Sequence, residues 1–410
     1  MSSQPAAHPA DDHEMLAAAA YLSRVAEPAS VPLWMLVERI GYQAAADAVR
    51  RQLLDPEVAA CTVARHDGVD VKADLDAAHR NGVRLLTPAS REWPHFAFAP
   101  LYAAARRRSA EWEGGYRRRP DRGELIPPLA LWVRGPADLS MVGTRSVAVV
   151  GSRASTPYGD HVAADWCYRL AAEGVVVVSG GAYGIDAAAH RGALAADGEC
   201  VLVSAGGLDR PYPSGNAALF ESVARRGLLV SERPPGSAPH RQRFLSRNRL
   251  IAALGSATLV VEAAARSGAL NSAGYARDLG RPVLAVPGPV TSALSLGCHR
   301  LLRREDDPAR LVGRVEDVLE YCAPSVLPTP GGLGSEPQLF DPLDSLSHGE
   351  RCVLDGFPAR TWVTEAELSR LSGQPIQVVI GALGPLSELG LISSARQGYR
   401  LAEPSARPVM

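Results

Sequence analysis

Lysine is almost missing from this 410-residue chain: Lys72 stands alone among 43 lysine and arginine residues. A nucleotide-binding P-loop needs a lysine directly after its last glycine to reach the phosphates. Lys72 follows Val71, so ATP hydrolysis through such a loop is not expected. Paired cysteines are also missing. Cys61, Cys167, Cys200, Cys298, Cys322 and Cys352 include no C-x-x-C pair, which argues against a zinc site and a disulfide framework. No apolar run approaches the roughly 20 residues that a membrane-spanning helix needs. The short apolar run near the start follows acidic residues, where a signal peptide would carry a basic flank. The chain is therefore expected to be cytoplasmic, with no membrane partner, no metal and no cofactor. Net charge is -1, so no global field gathers nucleic acid, and any such surface must be a local patch.

The most organised stretch runs from Ser146 to Gly297. Val- and Leu-rich runs expected as strands lie at Ser146–Val150, 175–179, Cys200–Ser204, Leu228–Ser231, 257–261 and 283–286. Helical patterns follow at 158–173, 184–196, 215–226, 246–254 and 270–279. Near-continuous apolar strands are what a parallel sheet buried on both faces requires. The expected fold class is α/β: an extended Rossmann-like parallel sheet, with ligands at the C-terminal ends of its strands. Around it the pattern predicts a polar, disordered tail at 1–10 and a small N-terminal helical domain, of helical-hairpin type, at 11–79. The α/β domain spans 80–322, with its core at 140–320. A Pro/Gly-rich linker at 323–345 leads to a winged-helix module at 346–402, with helices at 347–356, 364–372 and 375–389 and a two-stranded ribbon. Between short strands at Arg84–Leu86 and 129–133 lies a basic insert, 104–122. Its Arg106-Arg107-Arg108 and Arg117-Arg118-Arg119 flank Trp112 and Tyr116. That pattern fits either single-stranded nucleic acid or a solvated loop.

The turns after the strands carry the chemistry. Gly151-Ser152-Arg153 ends the first strand: glycine admits a phosphate to the backbone and arginine can grip it bidentately. In Ser179–Asp186, Gly180, Gly181 and Gly184 crowd one turn, a cost in backbone entropy that close approach of a ligand would explain. Asp186 and His190, four apart on one helix, read as an acid/base pair or as a hydrogen bond that fixes the turn. Arg241, Arg243, Phe244, Arg247, Asn248 and Arg249 form the densest basic cluster, and a ring among guanidinium groups is a stacking platform for a base. Phe244 as a plain core anchor is the other reading. Ser267, Gly268 and Asn271 offer phosphate donors on the same rim. A winged helix ordinarily reads DNA with its third helix, but residues 374–390 hold no lysine or arginine. Arg396 and Arg400 are the only basic candidates on the ribbon, so this module is expected to bind protein or pack internally.

These residues resemble a family. The runs Val149-Val150-Gly151-Ser152-Arg153, Ser179 to Asp186, Gly206-Gly207-Leu208-Asp209 with Tyr212-Pro213, Arg247-Asn248-Arg249, Val261-Glu262-Ala263 with Ser267-Gly268, and Ala285-Val286-Pro287-Gly288 are similar to those of the DNA-processing protein A (DprA/Smf) family over about 140–320. The resemblance implies an extended Rossmann-like domain that binds single-stranded DNA without catalysis and dimerises. It also implies loading of a RecA-type recombinase onto incoming DNA during natural transformation. Carried over, Arg153 and the backbone at Gly180 and Gly181 would contact phosphate. Phe244 would stack on a base, and Arg241, Arg247 and Asn248 would line the groove. Leu245 replaces a usual proline, and Asn271-Ser272 replaces an apolar-Thr pair. Two other functions stay open on the residues alone: a nucleoside-monophosphate phosphoribohydrolase with Glu262 acting on a ribosyl bond, and a small-nucleotide sensor.

Overall fold

In the computed structural model the described residues are 9–115, 123–322, 346–358 and 361–402. The expected tail (but for residues 9 and 10), the linker 323–345, and Tyr116 with Arg117–Arg119 lie outside them. The chain divides into two compact units, Met1–Val326 and Leu327–Met410.

The first unit opens with five helices, α1 (Pro9–Val25), α2 (Val31–Ile40), α3 (Tyr42–Arg51), α4 (Pro56–Thr62) and α5 (Val71–Arg80). Ser30 caps α2 by accepting from the Leu33 N–H, with Pro32 in the first turn, the arrangement that best satisfies a helix start. Gly41, at φ +80°, separates α2 from α3. That left-handed value costs glycine little. Leu22, Leu33, Leu36, Val37 and Val49 close a core of their own.

The chain then alternates: β1 (Arg84–Leu86), α6 (His95–Glu113), β2 (Leu131–Arg134), α7 (Leu139–Val142), β3 (Ser146–Val150), α8 (Pro157–Ala172), β4 (Val176–Ser179), α9 (Ile185–Ala195) and β5 (Cys200–Ser204). After a 3₁₀ turn at Ser214–Asn216 come α10 (Ala217–Arg226), β6 (Leu228–Ser231), α11 (Arg241–Leu254), β7 (Ala257–Val260), α12 (Ala269–Asp278), β8 (Val283–Ala285), α13 (Leu296–Leu302), β9 (Arg310–Leu311) and α14 (Val315–Leu319). One nine-stranded sheet results, in the order β1-β2-β6-β5-β4-β3-β7-β8-β9. From β6 across to β9 every pair is parallel, while β1 and β2 add to the β6 edge antiparallel. Both faces are buried by the two-residue alternation of strands. Val147, Val149, Cys200 and Leu202 face a layer holding Trp166, Ala187 and Phe220. Ala148, Val150, Val201 and Val203 face Phe98, Leu101, Leu250 and Tyr275.

Two elements differ from the sequence expectation. Residues 104–113 are not a basic loop but the second half of α6. Ala97, Phe98, Leu101, Ala104, Ala105 and Arg108 fall on one helix face and are buried. Arg108 is held by Glu124 through two hydrogen bonds of 2.9 Å, so it is a structural cation. Helix α11 also begins earlier than its apolar positions indicate, at Arg241.

The helical N-terminal region packs on the α/β layer through arginines. Arg233, just after β6, is buried. Its Nη1 donates to the carbonyls of Ser23 (2.8 Å) and Ala26 (2.7 Å) at the end of α1, where a helix leaves carbonyls unpaired and favours a cation. Burial pushes its guanidinium down to about 10, which leaves it charged. Beside it, Arg243 of α11 grips Glu27 bidentately at 2.8 and 2.7 Å.

The second unit holds α15 (His348–Asp355), α16 (Glu365–Ser372), α17 (Ile376–Glu388) and the antiparallel ribbon β10 (Ile392–Ala395) with β11 (Gly398–Leu401). Capping boxes Ser347/Glu350 and Thr364/Glu367 start its first two helices. Val353, Leu368, Val379, Leu386 and Ile392 form its separate core.

Burial alone would push the Glu27 carboxyl up, but Arg243, Arg233 and Arg65 outweigh it and hold it at about 2, against an ordinary 4.5. Between those values the unfolded chain binds the extra proton, so this contact stabilises the fold fully above about pH 4.5 and is lost as pH falls toward 2. Glu27→Gln is expected to lower the thermal midpoint at pH 7, with the wild-type and variant curves converging as pH falls through about 2, measured by circular dichroism.

Candidate nucleic-acid interface

The C-terminal ends of the parallel strands share one rim. Strand β3 lies between β4 and β7, and the chain leaves β3 toward β4 but leaves β7 toward β8. Connections thus diverge on either side of this point, which opens a crevice over the ends of β3 and β7. Four turns border it or adjoin it.

The turn Gly151-Ser152-Arg153 follows β3. A side chain on Gly151 would collide with Ile185 of α9. The Ser152 N–H donates to the Glu262 carbonyl at 2.8 Å, so this donor is engaged within the protein and Ser152 itself is buried. Arg153 is exposed. The Glu262 side chain, buried after β7, receives the Thr156 N–H at 2.9 Å and the Thr156 hydroxyl at 2.5 Å. Gly159 in the first turn of α8 leaves the space that this carboxylate fills. The positive end of α8 is therefore neutralised by a protein carboxylate.

The glycine-rich turn after β4 is also closed from within. Gly180 and Gly181 are buried, Gly181 against Leu202, at φ +69°. The Ala182 N–H points to Asp186 Oδ2 at 3.4 Å, and the Asn216 amide donates to the carbonyls of Gly181 and Ala182 at 3.1 Å each. Asp186 does not reach His190, the hydrogen bond the sequence pattern proposes. The His190 ring is fully buried and faces the Ser179 backbone. Burial, helped by the Arg247 charge, pushes this imidazole down to about 3, so it is neutral near pH 7. Burial pushes the Asp186 carboxyl up, opposed by Arg247, the Ala182 N–H and Arg153.

The arginines of α11 divide by helix face. Arg243, Arg247 and Arg249 are only 8%, 6% and 0% exposed. Arg247 reaches under the glycine turn and donates to the carbonyls of Gly180, at 2.9 Å, and Val203. A Cβ on Gly180 would stand 2.6 Å from its guanidinium. Burial lowers Arg247 to about 10, opposed by Asp186. Arg249 is bound by Glu232 at 2.7 and 2.6 Å and by the Ile126 carbonyl at 2.8 Å. The Asn248 amide meets Asn271 Oδ1 at 3.3 Å. Arg241 is exposed and Phe244 half-buried. The Phe244 ring lies 5.2 Å from the Arg153 guanidinium and 5.9 Å from that of Arg247, within cation–π range. Tyr212, which the sequence reading used only as a family marker, brings its ring within 5.5 Å of Phe244.

On the far side, Ser267 and Gly268 begin α12. The Ser267 hydroxyl accepts from the Ala269 N–H at 3.2 Å. Gly268 is exposed, with open space where a side chain would stand. Of the predicted residues, then, Arg153, Arg241, Phe244, Ser267 and Gly268 reach the surface. Ser152, Gly180, Gly181, Arg243 and Arg247 lie beneath it or are held by protein groups, and Gly151 and Asn248 are half-buried. Among the described residues no His, Cys, Asp and Glu cluster could hold a metal, and no helix is long and apolar enough to cross a membrane. Because Glu262 holds Thr156, the N-cap of α8, through two hydrogen bonds, Glu262→Gln is expected to destabilise the protein by about 1–3 kcal/mol, read from denaturant unfolding.

The family model described as DNA recombination-mediator protein A matches residues 121–323. The putative DNA processing protein DprA of Mycobacterium tuberculosis (strain ATCC 25618 / H37Rv) is 47% identical over 388 residues, 94% of each chain. DprA of Streptococcus pneumoniae (strain ATCC BAA-255 / R6) is 40% identical over 192 residues, 47% of this chain and 66% of that one. The X-ray structure of Streptococcus pneumoniae DprA superimposes with a TM-score of 0.57 at 28% identity, covering 75% of this chain and 97% of its own. The matched family model and the near-full-length identity agree, and the chain belongs to the DNA-processing protein A (DprA/Smf) family.

Proposed function

We propose that the rim binds single-stranded DNA and that the protein is a non-catalytic recombination mediator. It protects the strand and passes it to a RecA-type recombinase, as in natural transformation, acting in the cytoplasm as a homodimer through its α/β domain. The recombinase and the dimer come from the family resemblance. The DNA reading rests on geometry, and one observation carries it: a half-exposed phenylalanine ring flanked by two guanidinium groups at the strand ends. A base stacks on such a ring only when it is unstacked from its neighbours, which a single strand allows. Arg153 and Arg241 supply phosphate contacts, and Ser267 with Gly268 offers an open helix start. Gly151, Ser152, Gly180, Gly181, Arg243, Arg247 and Asn248 shape the rim from below.

The nucleotide-hydrolase alternative loses its general acid/base. The Glu262 carboxylate is buried and engaged by Thr156, with Gly159 packed against it. We read the second unit as a winged-helix module that does not read DNA, since its third helix α17 carries no cation.

Fluorescence anisotropy with a labelled single-stranded oligonucleotide tests the main reading. Phe244→Ala is expected to weaken binding by roughly 1–3 kcal/mol. Arg153→Ala is expected to weaken all sequences alike and to flatten the salt dependence by about 0.7 in the log–log slope. Unchanged affinity in both variants would overturn the reading. Residues 340–410 alone, which include a complete core, are expected to bind duplex weakly at physiological salt. Tight binding would overturn the role given to that module.

A further inference from the structure

We propose that Tyr183 is a second base-stacking platform on this rim, beside Phe244; the inference rests on the single-stranded DNA reading above. Tyr183 is 49% exposed and Tyr212 51%, which is a high exposure for rings in the middle of an ordered turn. The turn that carries Tyr183 is fixed on both sides. Before it, Asn216 holds the carbonyls of Gly181 and Ala182. After it, Gly184 sits at φ +73° against the Ser152 and Arg153 carbonyls, where no side chain fits. The ring edge rests on Gly215, whose Cβ, were there one, would lie 2.5 Å from the Tyr183 hydroxyl.

These contacts close a circuit. Gly184, next to Tyr183, touches the Arg153 backbone. The Arg153 guanidinium lies over Phe244. Phe244 meets Tyr212, and the turn that follows Tyr212 returns through Gly215 to the Tyr183 hydroxyl. Arg153 thus has its guanidinium at the Phe244 ring and its backbone against Gly184, the residue that follows Tyr183. A rigid ring loses little entropy when a base lands on it, and every base offers a π-face. The geometry points to two bases stacked on either side of a phosphate held by Arg153.

The test uses the full chain with two labelled single strands of equal length, one carrying bases and one abasic throughout. Tyr183→Ala is expected to lose about 5- to 150-fold in affinity for the base-bearing strand. It should match wild type on the abasic strand and keep its thermal midpoint. Tyr183→Phe, which keeps the ring, is expected to restore binding. If Tyr183→Ala binds the base-bearing strand like wild type while Phe244→Ala loses affinity, the rim reading stands and the second platform is refuted. Equal losses on both strands would also refute it, by making Tyr183 a structural residue. If the wild type binds neither strand, the rim reading fails and this inference fails with it.

Discussion

Arg247 is the interaction on which the site depends. Its guanidinium is buried between α11 and the ends of β4 and β5, bonded to the carbonyls of Gly180 and Val203 and close enough to Asp186 to feel its charge. A buried cation is costly unless its donors are engaged; in Arg247 Nη1 makes both carbonyl bonds, while Nε has no partner among the described residues. Here the engagement ties a helix to two strand ends, and it fixes the glycine turn because Gly180 alone leaves room for the guanidinium. The same side chain passes beneath Phe244. The ring is therefore presented by a rigid scaffold and not by a loop. Each carbonyl left unpaired by loss of this cation would cost on the order of 1–3 kcal/mol.

The surrounding charges follow a pattern. At the start of α8 and at the glycine turn a protein carboxylate stands where an anion could have bound, Glu262 and Asp186 respectively, while the start of α12 stays open. Three of the four arginines of α11 turn inward, to Glu27, Glu232 or a carbonyl, and only Arg241 faces solvent. On this rim Arg153 and Arg241 are exposed near the rings of Phe244, Tyr212 and Tyr183. Such a surface favours stacking and backbone contact over a broad electrostatic field, which suits a flexible single strand better than a stiff, evenly charged duplex.

The sheet was legible in the sequence because a parallel strand buried on both faces is written as an uninterrupted apolar run. Ser146–Val150, Cys200–Ser204 and Leu228–Ser231 have the predicted bounds. The roles of the arginines were not legible. Arginine is usually a surface residue, so Arg243, Arg247 and Arg249 read as a phosphate-binding run. Only their spacing of four and then two, set on a helix that starts at Arg241, turns them toward the core. Arg108 misled in the same way, since its partner Glu124 lies beyond the end of α6. The signal available for the rim's rings was positional: Tyr183 and Tyr212 each stand inside a Gly- or Pro-bounded turn after a strand, where a large side chain has no core to fill.

Hydrogen–deuterium exchange of the full-length protein, with and without a single-stranded oligonucleotide, tests the central claim most directly. Binding at the rim would bring new protection in the turns after β3, β4 and β7 and in the first turns of α11, with α17 and the β10–β11 ribbon unchanged. Protection confined to α17 and the ribbon, with the rim exchanging as in the free protein, would contradict it.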